Sequence, residues 1–131
     1  MIKISDDMKE MIKIGNCTIA TSSREGWPNI GPKGSVIVID DETLAWGELV
    51  GRQTYGNVLE NPKVAIAVVD HARRIGYRFI GHAKIETEGS LYDKFASFFE
   101  KIKLPKPKAA IRVKVSEIYD LSVKNPGGKI S

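Results

Sequence analysis

At 131 residues, with 42% hydrophobic and 27% charged side chains, the chain has the size and composition of one soluble globular domain spanning 1–131. No apolar run approaches the roughly 18 residues that a bilayer span needs, so no membrane association is expected. A net charge of +4 is mild for a dedicated nucleic-acid binder, and the single cysteine excludes an intramolecular disulfide and any multi-cysteine metal site.

Taken in chain order, the N-terminus MIKISDDMKEM carries acids and no apolar core of a signal peptide, which points to the cytoplasm. Ser5 is placed to cap a short helix. Ile4, Met8, Met11 and Ile12 share a face of it, and Gly15 can end it. Cys17–Ser22 reads as a strand, with Cys17 a small buried hydrophobe rather than a nucleophile. Arg24–Asn29 reads as a turn, and Gly34–Ile39 as a β-branched strand. Asp40–Glu42 is a hairpin turn, from which Thr43–Val50 returns antiparallel. Lys63–Asp70 is nearly all apolar and central. Gly76–Thr87 is a long strand whose glycines at 76 and 81 mark bends or close backbone approach. Ser90 then caps a second helix, with Leu91, Phe95, Phe98, Phe99 and Ile102 at helical spacing as core packing. Leu104–Pro107 breaks that helix. Ala109–Leu121 alternates Ile111, Val113 and Val115 with Arg112, Lys114 and Ser116, as a half-buried strand does. Ser122–Ser131 is a polar, glycine-rich tail. The expected fold is therefore mainly β (α+β): a six-stranded antiparallel barrel with two flanking helices. Consecutive strands without intervening helices disfavour a doubly wound parallel sheet.

The most informative stretch is Gly51–Pro62, GRQTYGNVLENP, between two strands. Gly51 lets the backbone approach a ligand, and the free N–H groups of a helical turn point outward. Arg52, Gln53 and Thr54 add charge, amide and hydroxyl, a set able to hold phosphate. An ordinary solvated turn is the competing reading. Basic residues also cluster at Lys101–Lys114 and at Arg73, Arg74 and Arg78. Solvated faces are the usual explanation of such clusters; a positive field for a phosphate-bearing ligand is the sharper one. Zinc spacing and an aromatic ladder for nucleic acid are both missing, so no nucleic-acid partner is expected.

The ordered set TSSREGWPNIGP, LAWGEL and RQTYGNVLENPKVAIAVVD resembles the FMN-binding split barrel of the pyridoxamine 5'-phosphate oxidase-like family. The resemblance covers almost the whole chain. It implies a homodimer with FMN in a groove between two barrels. It also implies that Arg52, Gln53 and Thr54 surround the FMN phosphate, with Asn57 one turn on holding the helical turn. Pro32, Lys33, Gly34 and Ser35 fall on the strand that passes along the flavin, with Lys33 as a charge partner. Trp46, Gly47, Glu48 and Leu49 match the strand whose backbone lines the isoalloxazine edge. The run Asp120–Ser131 contains no Arg and no His of the kind that oxidases of the family use for substrate, so vitamin B6 oxidation is not expected.

Other residues read more plainly. Trp46 is a barrel or dimer-interface aromatic. Trp27, beside Pro28, is exposed or covered by a partner subunit. His71 and His82 stand far apart and make no metal site, and no catalytic residue is assigned. A Ser-His-Asp order, Gly-x-Ser-x-Gly and the nucleotide-binding glycine patterns are all missing. The expectation is a small FMN-dependent oxidoreductase or electron carrier. Open alternatives are a non-catalytic flavin carrier or sensor, and an oxidoreductase using a deazaflavin or haem.

Overall fold

The chain forms three helices and eight strands, described over residues 1–131 by a computed structural model. The helices are α1 (Asp6–Ile14), α2 (Gln53–Glu60) and α3 (Ser90–Lys101). The strands are β1 (Cys17–Ser22), β2 (Pro28–Lys33), β3 (Ile37–Asp40), β4 (Thr43–Glu48), β5 (Lys63–Asp70), β6 (Ile75–Glu86), β7 (Ala109–Asp120) and β8 (Gly128–Lys129). All pairings are antiparallel, in the order β2-β1-β5-β6-β7-β4-β3, with β8 added on β7. This is the mainly β, split-barrel architecture expected. No helix is long and apolar enough to cross a membrane.

The sheet curls because its two ends share one core. Cys17 and Ile19 near one end and Leu44 and Trp46 near the other lie in the same buried cluster, with Ile66, Phe79, Ile111 and Ile118 between them. Fully burying each such side chain contributes about 1.5–3 kcal/mol. A bulge between Ile80 and Gly81 helps the long β6–β7 ribbon to bend. A side chain at Gly81 would run into the backbone of Lys114, so glycine is required there. α1 closes one end of the core as read from sequence: Ser5 accepts the Met8 N–H at 3.3 Å, Ile4, Met8, Met11 and Ile12 are buried, and Gly15 takes a left-handed φ of 93°.

The strand and helix counts need correcting, from six to eight and from two to three. Pro28–Lys33 is a strand, although its first residues read as a turn. It lies at the edge of the sheet, where prolines are tolerated because one side of the strand needs no donors. The tail contributes the two-residue β8. Gln53–Glu60 is a two-turn helix rather than a single turn. β3 begins at Ile37, which leaves Gly34 and Ser35 in the turn before it. Gly89, not Ser90, occupies the N-cap of α3, and no side chain caps that helix.

Candidate functional site

The twelve residues singled out from the sequence fall into two hydrogen-bonded groups that meet at the Leu49–Arg52 loop. The first joins the end of β2 to β4. Ser35 Oγ donates to the Gly47 carbonyl at 3.3 Å and accepts the Gly47 N–H at 3.1 Å, which ties the turn after Lys33 to β4. Beside it, the Glu48 carboxylate is buried and accepts Trp46 Nε1–H at 3.2 Å and Lys33 Nζ–H at 3.0 Å. Two charge-assisted bonds offset the cost of burying that carboxylate. Lys33 is thus already matched by an acid, and its charge is not free for phosphate. Trp46 is a wholly buried core residue. Gly47 is buried under α3: a Cβ there would lie 2.9 Å from Phe99 Cζ and 3.1 Å from Phe95 Cδ1. Gly34 faces open space, Pro32 is exposed, and Leu49 is half-buried.

The second group fixes α2 to the sheet. Asn57 is buried, accepts Gln53 Nε2–H at 2.7 Å and donates to Thr21 Oγ1 on β1 at 3.0 Å. Asn29 of β2 donates to Thr54 Oγ1 at 3.0 Å, leaving the Thr54 hydroxyl proton free to reach a ligand. The first backbone bond of the helix runs from Gly56 N–H to Arg52 C=O at 2.9 Å. The N–H groups of Gln53, Thr54 and Tyr55 therefore have no intrahelical acceptor, and no side chain caps them. Arg52, at the N-cap, is exposed and joins no ion pair.

One residue of this corner was not singled out for it. Lys108, just before β7, crosses Gly51 so closely that any side chain at position 51 would overlap it, and Gly51 has φ 69°. The Lys108 ammonium lies 5.6 Å from the Tyr55 ring centroid and has no carboxylate partner. Sequence showed Lys108 only as one member of a basic run; chain folding is what sets it against Gly51 and Tyr55. Of the other residues in the basic clusters, Lys101, Lys103, Lys106 and Arg74 join no ion pair, and the rest have partners. Arg73 bonds Asp7 and Asp70, Arg112 bonds Glu86, Lys114 bonds Glu42, and Arg78 lies 4.8 Å from the Tyr119 ring centroid. His71 and His82 are exposed and lie outside this corner, and Trp27 is 75% exposed. Cys17 is buried, and desolvation pushes its thiol up to about 11, which leaves it protonated and inert at neutral pH.

Taken together, the corner offers an arginine, a lysine, a hydroxyl and three outward N–H groups: a donor set suited to a phosphate dianion. The strand group offers a buried acid and a backbone already committed, so it suits the neutral edge of a ligand better than its charged end.

A sequence model described as pyridoxamine 5'-phosphate oxidase matches residues 4–122. The protein MJ0282 of Methanocaldococcus jannaschii is 31% identical over 134 residues, covering 99% of this chain and 89% of that protein. Among solved structures, HupZ of Group A Streptococcus is 36% identical, with TM-score 0.88 over 98% of this chain and 99% of that chain. An FMN-binding protein of Syntrophomonas wolfei is 20% identical, with TM-score 0.75 over 89% of this chain and 88% of that one. HutZ, the heme storage protein of Vibrio cholerae, is 15% identical, with TM-score 0.67 over 90% of this chain and 94% of that one. The last two share the fold alone.

Proposed function

This chain belongs to the pyridoxamine 5'-phosphate oxidase family, and on that premise we propose that it is an FMN-binding flavoprotein, a small oxidoreductase or electron carrier working as a homodimer. The observation that carries the reading is the uncapped start of α2, with Arg52 and Lys108 unpaired beside it. Arg52, the Thr54 hydroxyl and the first N–H groups of α2 would hold the FMN phosphate. Gln53 and Asn57 would keep that turn rigid through their bonds to each other and to Thr21. The segment Pro32–Ser35 and the strand Trp46–Leu49 would flank the ring system. When bound, the flavin supplies the electron transfer; the residues here bind it, orient it and limit its access to water.

A feature of the sheet supports the dimer. α3 covers the outer face of β4 and β7 through Ala45, Ala110, Phe95 and Leu91. Over β2, β1, β5 and β6 no helix lies on that face. There, Ile30, Ala20, Ala65 and Ile80 stand side by side across the four strands, with Thr18 and Ala67 in the next row. Ile30 is 72% exposed. A flat strip of small apolar side chains suits a second copy of itself.

The visible spectrum of protein purified without added cofactor, followed by FMN titration of wild type and of Arg52→Ala with Thr54→Ala, tests this reading. Loss of two charge-assisted bonds worth about 1.5–3 kcal/mol each should weaken FMN binding roughly a hundredfold or more. Equal affinity in the double variant would remove the phosphate assignment. A haem or deazaflavin spectrum, with no response to FMN, would move the cofactor to one of those.

A further inference from the structure

A cleft of about 640 Å3 opens along the free edge of β3, and no residue of α2 lines it. Its floor is the unbroken run from Gly34 to Asp40. Neighbouring side chains of a strand point to opposite faces, so a continuous run can line one cleft only where the cleft follows the strand's edge. β3 ends the sheet and pairs with β4 alone. The Val115 N–H donates to the Glu42 carbonyl, so Glu42, Leu44 and Trp46 turn their backbone groups toward β7, and Thr43 and Ala45 turn theirs toward β3. Ile37, opposite Ala45, is therefore bonded inward, and Val36 and Val38 present their N–H and C=O groups to the cleft.

Two helices form the walls. α1 contributes Ile12 and α3 contributes Phe95 and Phe98. Phe98 is 46% exposed even though it lines the cleft, its ring tilted against Phe99 at 5.8 Å between centroids. The charges at the rim are unevenly committed. Lys9 is bonded to Asp41 at 2.9 Å, and Asp40 accepts the Glu42 N–H at 2.9 Å. Lys13 on one wall and Lys94 on the other have no carboxylate partner, and of the lining acids Glu10 and Asp40 join no ion pair either, Asp40 being turned to the Glu42 N–H.

We propose that this cleft binds a small apolar anion. Its hydrocarbon or aromatic body lies between Ile12 and Phe98, its carboxylate or sulfonate is held by Lys94 and Lys13, and any further polar atom meets the Val36 and Val38 backbone. The volume is that of a small-molecule site, which typically runs about 300–1,000 Å3. The floor begins at Gly34 and Ser35, in the segment assigned above to the cofactor. If FMN binds as proposed, the two sites adjoin at Gly34 and Ser35. The binding itself does not depend on FMN.

The test titrates 1-anilinonaphthalene-8-sulfonate, an aromatic sulfonate that fluoresces in apolar surroundings, into the intact protein, with decanoate as competitor. Saturable binding at one probe per chain is expected, with displacement by decanoate. Lys13→Glu combined with Lys94→Glu, and separately Phe98→Asp, should weaken it by about tenfold or more, with circular dichroism and FMN loading unchanged. The three positions are on exposed helix surface, so the variants should fold. Absence of saturable binding, or binding indifferent to both variants, overturns the proposal. Displacement of the probe by FMN, one for one, also overturns it, because the cleft would then hold the cofactor. Protein that ignores FMN yet shows the expected probe pattern would sink the cofactor reading and leave this one standing.

Discussion

Asn57 is the side chain that ties α2 to the sheet most directly. It is buried and joins the first turn of α2 to Thr21 of β1. Asn57→Ala would leave the Thr21 hydroxyl and the Gln53 amide without their partner. That should cost about 1–3 kcal/mol in urea unfolding and, through a loosened α2, weaken FMN binding. A variant that lost stability but bound FMN as wild type would show that the turn needs no such anchor. Glu86 makes a second residue-scale prediction. Its bidentate bond to Arg112, at 2.6 and 3.3 Å, holds its carboxyl below the usual value of 4.5, with the Arg112 hydrogen bond as the main cause. A depressed folded-state pKa stabilises the fold above the unfolded value, and that stability fades as pH falls through the folded one. Glu86→Gln should therefore lose roughly 1 kcal/mol or less at neutral pH, because the pair is partly exposed, and show a shallower stability loss below about pH 4.5. Denaturant midpoints measured from pH 3 to 7 check both parts; parallel wild-type and variant curves throughout that range would refute it.

The packing of α3 makes the sharpest prediction for a whole element. Gly47 has no Cβ, so Phe95 and Phe99 can sit against β4. Gly47→Ala puts a methyl 2.9 Å from Phe99 Cζ and forces the helix outward. A penalty of about 1–3 kcal/mol is expected, readable as a lower unfolding midpoint. No loss would mean that α3 shifts freely. In the sequence, Gly47 had a role only through the family resemblance, as part of the strand lining the flavin edge; its place beneath Phe95 and Phe99 depends on where α3 packs, which no local pattern shows. Elements with a local cause were legible: α1 from Ser5, Gly15 and its apolar spacing, and β7 from its alternation. Elements decided by distant neighbours were not. Pro28 and Pro32 argue against a strand until β2 is seen at an edge, and Lys33 looked free because Glu48, its partner, is fifteen positions away. The proposed phosphate corner could be put forward from sequence because Arg52, Gln53, Thr54 and Asn57 lie within six consecutive positions. Lys108 could not, because its approach to Gly51 is made only when β7 pairs with β4.

At the scale of the molecule, one half of the curled sheet is finished and the other is not. α3 shields β4 and β7, whereas the strip from Ile30 through Ala20 and Ala65 to Ile80 faces outward bare. The Leu49–Arg52 loop and α2 serve the same end of the chain's architecture, since α2 rests on β1 and β2, the strands at the bare edge. A second copy docked on this strip would thus bring its own surface near the start of α2, and a flavin held there as proposed would be enclosed by both subunits. Ala65, at the centre of the strip, can be changed without touching the core, because its side chain points away from the cluster that holds Val64 and Ile66. Ala65→Arg buries an unpaired charge in the interface, a change that typically costs several kcal/mol. Sedimentation equilibrium should show a dimer becoming a monomer with an unaltered far-ultraviolet spectrum, and FMN affinity should fall with it. A monomer that keeps wild-type FMN affinity would place the whole cofactor site within one chain. A variant that remains dimeric would move the interface elsewhere.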